Sequence, residues 1–386
     1  MKKVCVVTGT RAEYGLLKPV IDKIHKAPDL ELQLVATGMH LSPEFGLTYK
    51  EIEADGYLVT EKVEILLSSD TSVGITKSMA VALMGFGECF DRLKPDMLVI
   101  LGDRYEMLAV ASAALIARIP IAHIHGGETT EGAIDEAIRH SITKMSHLHF
   151  TSTEEYRRRV IQLGENPHTV YNVGALGVEN VKNVALMKKE ELEDSLGIQF
   201  NNHTVLLTYH PVTLENMTAE SQFRTILDVL DEHKEIKVIF TKANSDTDGR
   251  IINLMIDDYV SRNNDRCKAF TSLGQLRYLS CLRYCVAVVG NSSSGLIEVP
   301  SFGIPTINIG DRQKGRICAD SVINCGNDFV EIESALLRAR DTDFRMKVKN
   351  VNNPYEGIDT SDRIVDAINA YLSQGYNIKK HFYDMN

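Results

Sequence analysis

Val286-Ala287-Val288-Val289-Gly290-Asn291-Ser292-Ser293-Ser294-Gly295-Leu296-Ile297-Glu298 is the stretch that decides how this chain is read. A short β-branched run ends on glycine, and three serines follow where a helical pattern opens. Continuous apolar character without alternation is what a strand buried on both faces requires, and such strands belong to parallel sheets covered by helices. The turn offers hydroxyls, unpaired backbone N–H groups and a helix start to an anion, which favours a diphosphate. Glu298, about one turn further on, can accept hydrogen bonds from ribose hydroxyls. A serine-rich cap and loop is the purely structural alternative.

The same rhythm runs outward in both directions. Strands are expected at 3–8, 31–37, 97–101, 119–124, 147–151 and 169–173, and again at 204–208, 237–241, 267–271, 286–289 and 305–309. Helical patterns such as 16–25 and 105–117 fill the gaps, so the chain reads as βα units. At 386 residues it suits two domains. The expected fold class is α/β: two Rossmann-like, doubly wound parallel-sheet domains, with ligands outside the carboxyl ends of the strands. The two glycines of Asn172-Val173-Gly174-Ala175-Leu176-Gly177 and a loss of periodicity place the hinge near 174–186. The domains are therefore 1–176, 177–360 and a last helix with a polar tail, 361–386.

Composition narrows the function. A net charge of -10 argues against a general nucleic-acid binder, whose affinity rests on clustered Lys and Arg. Seven cysteines, an odd number without a CxxC pair, read as reduced core residues rather than disulfides or zinc ligands. The run Val4-Cys5-Val6-Val7 stops too soon for a signal sequence, and no apolar stretch is read as approaching the roughly 20 residues of a membrane span. A cytoplasmic protein without membrane partners is expected.

Chemistry-bearing residues gather just after the strands. Gly9-Thr10-Arg11-Ala12-Glu13-Tyr14-Gly15 is a glycine-bounded turn with a guanidinium, but it has neither the GxGxxG spacing nor the Walker Lys-Ser/Thr, so neither NAD nor ATP is implied. Gly102-Asp103-Arg104-Tyr105-Glu106 places an acid at a strand end, either as a catalytic group or as a helix cap with Glu106 completing a capping box. His123-Ile124-His125-Gly126-Gly127-Glu128, followed by Asp135-Glu136-Ala137-Ile138-Arg139-His140, is the densest acid/base cluster. Its spacing does not suit a metal, and Asp135 with Arg139 has the alternative reading of an exposed i,i+4 pair. Tyr209-His210-Pro211 ends another strand, and Gly310-Asp311-Arg312-Gln313-Lys314-Gly315-Arg316 brings three cations after the next.

Together with Thr37-Gly38-Met39-His40, Arg139 to Met145 and Thr151 to Tyr156, these segments resemble the UDP-N-acetylglucosamine 2-epimerase family, in its hydrolysing branch. The resemblance covers nearly the whole chain. It implies a glycosyltransferase-B-type fold with the active site in the interdomain cleft and a final helix crossing back to the first domain. By position, it implies that Ser292, Ser293 and Ser294 hold the diphosphate, Glu298 the ribose and the strand end around Phe270 the uracil. Arg11, His210 and Arg316 would approach the phosphates, with Arg104 and Arg139 in the substrate-binding set. Asp103, Glu128 and Asp135 match acids implicated in proton transfer, with His210 counted among the catalytic groups and His40 and His125 nearby. Nonhydrolysing relatives carry glutamate where His125 stands, in a Glu-Ala-Gly-Leu-Arg run, so the His125-Gly126-Gly127 sequence favours the hydrolysing branch.

The implied reaction makes sense of the residue types. A sugar C2 hydrogen has no adjacent carbonyl, so direct deprotonation is out of reach. Departure of UDP gives C1 oxocarbenium character and acidifies that hydrogen, and a carboxylate removes it to give a glycal. Water then adds at C1 while a proton returns to C2 on the opposite face. The expected conversion is UDP-N-acetylglucosamine to N-acetylmannosamine and UDP, as in sialic acid synthesis, with UDP-N,N'-diacetylbacillosamine as the alternative substrate. Neither a redox cofactor nor a metal is required, and a homo-dimer or homo-tetramer is expected. A UDP-sugar glycosyltransferase and a non-catalytic UDP-sugar sensor are the rival readings.

Overall fold

A computed structural model describes residues 1–67, 69, 71–131, 133–212, 219–243, 249–375 and 378–385. The chain forms two compact units. The first comprises Met1–Glu128, Asp135–Asn180 and the chain from Tyr355 onward; the second comprises Val181–Pro354 with the short segment Thr129–Ile134.

The first unit is built on seven strands: β1 (Lys2–Thr8), β2 (Leu30–Thr37), β3 (Val59–Val63), β4 (Met97–Leu101), β5 (Ile121–Ile124), β6 (Leu148–Thr151) and β7 (Val170–Asn172). They lie in the order β3-β2-β1-β4-β5-β6-β7, every neighbouring pair parallel. The period-two geometry of a strand sends Val4 and Val6 of β1 into one apolar layer and Cys5 and Val7 into the other. Both faces are thus covered, which is why the strand sequence does not alternate.

The second unit repeats the plan with β8 (Thr204–Thr208), β9 (Lys237–Thr241), β10 (Cys267–Phe270), β11 (Ala287–Gly290), β12 (Thr306–Ile309) and β13 (Val322–Cys325), in the order β10-β9-β8-β11-β12-β13. Val205 and Leu207 face one layer and Leu206 the other. In each sheet the winding direction reverses once, between β1 and β4 and between β8 and β11. Those switch points are where loops diverge and leave room for ligands.

The structure departs from the sequence reading in several places. β3 and β13 were not expected: both are edge strands, and β3 carries Glu61 and Lys62 between its valines, which hides the apolar run. The first helix spans Arg11–Lys26 with Thr10 as its N-cap, and Pro19 stands inside it. Residues 174–186 are not aperiodic, because Leu176–Asn183 is a helix and the chain passes from one unit to the other within it, between Asn180 and Val181. The polar tail belongs to the first unit. There Lys380 reaches Glu165 at 2.7 Å and Tyr383 N–H donates to the Gly164 carbonyl at 2.9 Å.

Helix Ser72–Leu93 is long and apolar enough, by length and composition, to cross a membrane, contrary to the sequence reading. Its sequence is interrupted only by Lys77, Glu88, Asp91 and Arg92. One stripe, Ser78, Ala82, Phe86, Cys89 and Phe90, is buried, and its apolar members join the core layer that also contains Val110 and Ala114 of helix Tyr105–Ile116. That 3.6-period stripe is the packing face of an α/β crossover helix.

Candidate active site

At the switch point of the first unit, the turn after β1 is closed by its own side chains. Thr10 Oγ1 accepts from Glu13 N–H at 3.2 Å, and Glu13 Oε2 accepts from Gly9 N–H at 2.6 Å. Arg11, one residue into the helix, pairs through Nε with Glu51 at 2.5 Å. His40 is fully buried in the turn after β2, where its Nε2 lies 3.1 Å from Thr8 Oγ1 and its Nδ1 2.8 Å from Thr48 Oγ1. Burial pushes its pKa down to about 4, so it is a neutral ring at physiological pH.

The turn after β4 disposes of the capping reading. Asp103 does not cap helix Tyr105–Ile116: Arg104 occupies the N-cap position without a side-chain bond, and Glu106 is engaged by Arg104 Nε at 2.6 Å. Asp103 instead pairs with the guanidinium of Arg139. Arg139 is 1% exposed and also donates through Nη1 to the Glu128 carbonyl at 2.8 Å. One buried cation therefore ties the turn after β4 to the turn after β5, and Arg139 lies buried rather than on an exposed helix surface.

The turn after β5 is shaped by backbone constraints. His125 holds a left-handed conformation at φ 66° and Gly127 another at φ 78°. A methyl group on Gly127 would stand 2.5 Å from the Tyr156 carbonyl. This turn brings Glu128 inward, 2% exposed, where its Oε1 accepts from Ser152 Oγ at 2.7 Å and lies 3.5 Å from His125 Nδ1. His123, on the strand itself, has Nε2 2.7 Å from the Gly102 carbonyl, which can only accept, so Nε2 carries the proton. Nδ1 faces Thr143 Oγ1 at 3.2 Å, and burial holds the ring pKa down at about 3. His123 is a neutral strut under the Gly102 turn. Asp135 opens helix Asp135–Met145 and is half-buried.

In the second unit the corresponding edge is built from amides and hydroxyls. Asn291 is fully buried and clamps the backbone of His210: its Oδ1 accepts from His210 N–H at 2.7 Å and its Nδ2 donates to the His210 carbonyl at 2.8 Å. Gln313 Nε2 donates to the Asn291 carbonyl at 2.8 Å, and Arg312 to the Pro211 carbonyl at 2.8 Å. The turns after β8, β11 and β12 are thereby one hydrogen-bonded assembly. Arg316 is anchored through Nε on the Thr129 carbonyl at 2.9 Å.

The serine triplet follows β11 directly. Ser292, Ser293 and Ser294 are half-buried, and Tyr278 donates from its hydroxyl to Ser294 Oγ at 2.6 Å. The helix they open, Ser294–Ile297, is a single turn whose N-cap, Ser293, makes no side-chain cap bond. A dipole summed over so few peptide units is small, so anion affinity here rests on hydroxyls, N–H groups and cations, correcting the helix-dipole part of the sequence argument. Glu298 ends this turn, 8% exposed, and its charge helps burial to raise the Tyr278 hydroxyl pKa. Phe270 closes β10 with the Arg277 guanidinium 5.7 Å from its ring centroid.

Within the first unit the structure thus gathers Asp103, Arg139, Glu128 and His125, and within the second it gathers His210 with the serine turn. Glu13, Glu106, Ser152, Tyr278, Asn291 and Gln313 were not singled out from sequence as site residues. Only the buried setting of their polar atoms marks them.

Residues 22–369 match the family described as UDP-N-acetylglucosamine 2-epimerase. The chain is 44% identical over its whole length to GDP/UDP-N,N'-diacetylbacillosamine 2-epimerase (hydrolyzing) of Campylobacter jejuni, covering 99% of that protein. It is 39% identical over its whole length to polysialic acid biosynthesis protein P7 of Escherichia coli, covering 98% of it. Among solved structures, UDP-GlcNAc 2-epimerase from Neisseria meningitidis, bound to UDP-GlcNAc, matches with a TM-score of 0.79 at 19% identity, over 95% of this chain and all of that one, a likeness of fold. With its two doubly wound units of glycosyltransferase-B type and these matches along nearly its whole length, the chain belongs to the UDP-N-acetylglucosamine 2-epimerase family.

Proposed function

We propose that the protein is a hydrolysing 2-epimerase that converts UDP-N,N'-diacetylbacillosamine to the C2-inverted sugar and UDP. The observation that carries the reaction class is the pairing of Asp103 with buried Arg139, beside buried Glu128 on the next turn. Carboxylates at neighbouring strand ends are what a two-stage proton transfer needs, one removal from C2 and one return to its other face. The relatives support the choice of substrate: the Campylobacter jejuni protein, matched end to end at 44% identity, is named for diacetylbacillosamine. This displaces UDP-N-acetylglucosamine, the first expectation from sequence, to second place.

The work divides by residue type. Ser292, Ser293 and Ser294, with His210, Arg11 and Arg316, stabilise the charge that grows on UDP as the C1–O bond lengthens. Glu298 takes the ribose hydroxyls, and Phe270 lies beside the uracil. Bond cleavage sends the electron pair to the diphosphate oxygen. Loss of the C2 proton to an acid of the set Asp103, Glu128 and Asp135 then leaves a glycal. Water adds its oxygen at C1, giving up one proton to a carboxylate of the set, while an acid returns a proton to C2 from the opposite face. The Arg139 guanidinium pairs with the Asp103 carboxyl group and fixes its position. Arg104, His40 and His125 complete the surroundings of these acids.

Incubating the protein with UDP-N,N'-diacetylbacillosamine and, separately, UDP-N-acetylglucosamine in deuterated water tests both parts. Free UDP and a C2-inverted sugar carrying deuterium at C2 are expected, with turnover faster for the first substrate. A product that retains its original C2 hydrogen rules out the mechanism, and preference for the second substrate reverses the assignment.

A further inference from the structure

Gly9 sits between two buried carboxylates. Its N–H donates to Glu13 Oε2 at 2.6 Å, and a methyl group on its Cα would stand 2.7 Å from Glu106 Oε1. Glu13 is 5% exposed and Glu106 1%. They come from the first turns of helices Arg11–Lys26 and Tyr105–Ile116, so they meet at the β1/β4 switch point. The charged and titratable groups around them are few. Arg104 bonds Glu106 Oε1, Arg11 is paired with Glu51, and Asp103 with Arg139. His40, whose N–H donates to the Gly9 carbonyl at 3.3 Å, is held neutral.

Among the described residues one cation, Arg104, therefore acts on both carboxylates. Glu13 Oε1 and Glu106 Oε2 are each buried without a hydrogen-bond donor among the described residues. Two neighbouring buried carboxylates with a single counter-charge do not both ionise; one retains its proton, and that proton can satisfy the other's lone pair. We propose that Glu13 and Glu106 share one proton across Gly9, Glu13 as the acid and Glu106 as the carboxylate held by Arg104, and that this bridge positions the turns bearing Arg11 and Asp103. The kinetic consequence rests on the hydrolysing-epimerase reading; the shared proton does not.

The energetics agree. Burial, reinforced by the Glu106 charge and opposed by the Gly9 N–H and Arg104, pushes Glu13 up to about 8. Above that pH the proton passes to solvent and two like charges face each other across Gly9. The turns are driven apart, and kcat falls, approaching about tenfold per pH unit. Glu13→Gln replaces the acid O–H by an amide N–H that does not titrate. It keeps the bridge and the acceptor for Gly9.

Two measurements decide it. Infrared spectra of protein with labelled glutamate carboxyls, at neutral pH, are expected to show a deuteration-sensitive protonated-acid band that disappears in Glu13→Gln. The pH profile of kcat is expected to lose its alkaline limb in that variant while activity at pH 7 persists. Glu106→Gln leaves one carboxylate beside Arg104, so the band and the limb both vanish there as well, which covers the case of a Glu13→Gln protein that does not fold. Identical neutral-pH spectra for the parent and a folded variant overturn the shared proton. An alkaline limb that persists unchanged overturns the positioning role. If no UDP-sugar is turned over, the infrared result still stands by itself, and it is the epimerase reading that fails.

Discussion

The two units share a strand order but fill their switch points with opposite chemistry. In the first unit, Gly9 makes room for the carboxylate of Glu106, and the buried polar groups of the neighbouring turns include the ionisable Glu13, His40, His123, His125, Glu128 and Arg139. In the second, Gly290, at φ 129°, makes room for the backbone carbonyl of Thr208, and the neighbouring buried groups include the neutral amides Asn291, Asn308 and Gln313. A scaffold of parallel strands is thus indifferent to charge. What differs is whether the loops bring in side chains that exchange protons or dipoles that hold an anion without titrating. The first arrangement suits proton transfer, the second an anion grip built mainly on hydroxyls, amides and backbone N–H groups, with His210 and Glu298 as its buried titratable members.

The sharpest way to break this contrast is to neutralise an acid in the first unit. Asp103→Asn is expected to lower kcat by about 10²- to 10⁴-fold while UDP affinity, measured by calorimetry, stays within about twofold. A large loss of UDP affinity in this variant would show that the division of labour is false. The reciprocal change, Gly290→Ala, acts on the second unit. A β-carbon there collides with the Thr208 carbonyl in a backbone conformation that L-residues rarely adopt. Strain and overpacking together are expected to cost about 4 kcal/mol, visible as a lowered denaturation midpoint. Exchange protection lost around β8 and β11, but retained in β1 and β4, is the expected signature.

The residues behind this contrast differ in how legible they are in the sequence. The central strands were legible because burial on both faces leaves uninterrupted apolar runs. Edge strands β3 and β13 were not, since an exposed edge admits residues such as Glu61, Lys62 and Asn324. Asp103, Glu128 and His125 stood out because charged groups beside glycines at strand ends seldom serve packing. Glu13 and Glu106 carried the same residue type but fell in first helical turns, where acids are ordinarily caps. Only the fold reveals that both side chains bend inward to Gly9. Arg139 is expected in the substrate-binding set with an exposed helix pair as its alternative, and its link to Asp103 is hidden because that partner lies 36 positions earlier in the chain.

The contrast also predicts unequal acid sensitivity. Burial holds His40 at about 4 and His123 at about 3, and lowers His149, all in the first unit. His40 and His123 are neutral when folded at physiological pH, and all three bind a proton less readily than in the unfolded chain, where a histidine takes one up near pH 6.5. The unfolded state therefore binds more protons below that pH, and stability is lost as pH falls from about 6.5 toward the folded values. For His40 alone the loss is about 3 kcal/mol by pH 4. Glu165, held at about 2 by its hydrogen bond with His149 and by Lys144 and Lys380 despite burial, adds a further loss below about 4.5. Hydrogen exchange followed down a pH series is expected to show β4, β5 and β6 opening before β8, β9 and β11. Simultaneous opening would mean that the ionisable packing of the first unit is not what limits it.

The smallest effect concerns the grip itself. The Tyr278 hydroxyl donates to Ser294 Oγ at 2.6 Å from a buried ring whose ionisation is disfavoured by burial and by the charge of Glu298. It is therefore a permanent donor, and it leaves the Ser294 hydroxyl hydrogen free to point at an incoming anion. Without it, as in Tyr278→Phe, Ser294 can turn its own hydrogen toward other acceptors, and the serine must be reoriented when nucleotide binds. A single neutral hydrogen bond of this kind is worth about 1 kcal/mol, so UDP affinity is expected to fall about fivefold. Because the change touches only the unit proposed to hold the anion, kcat at saturating substrate and its pH profile should remain those of the parent. A shifted pH profile in Tyr278→Phe would mean that the second unit also handles protons, and that the separation of roles between two equally wound sheets is incomplete.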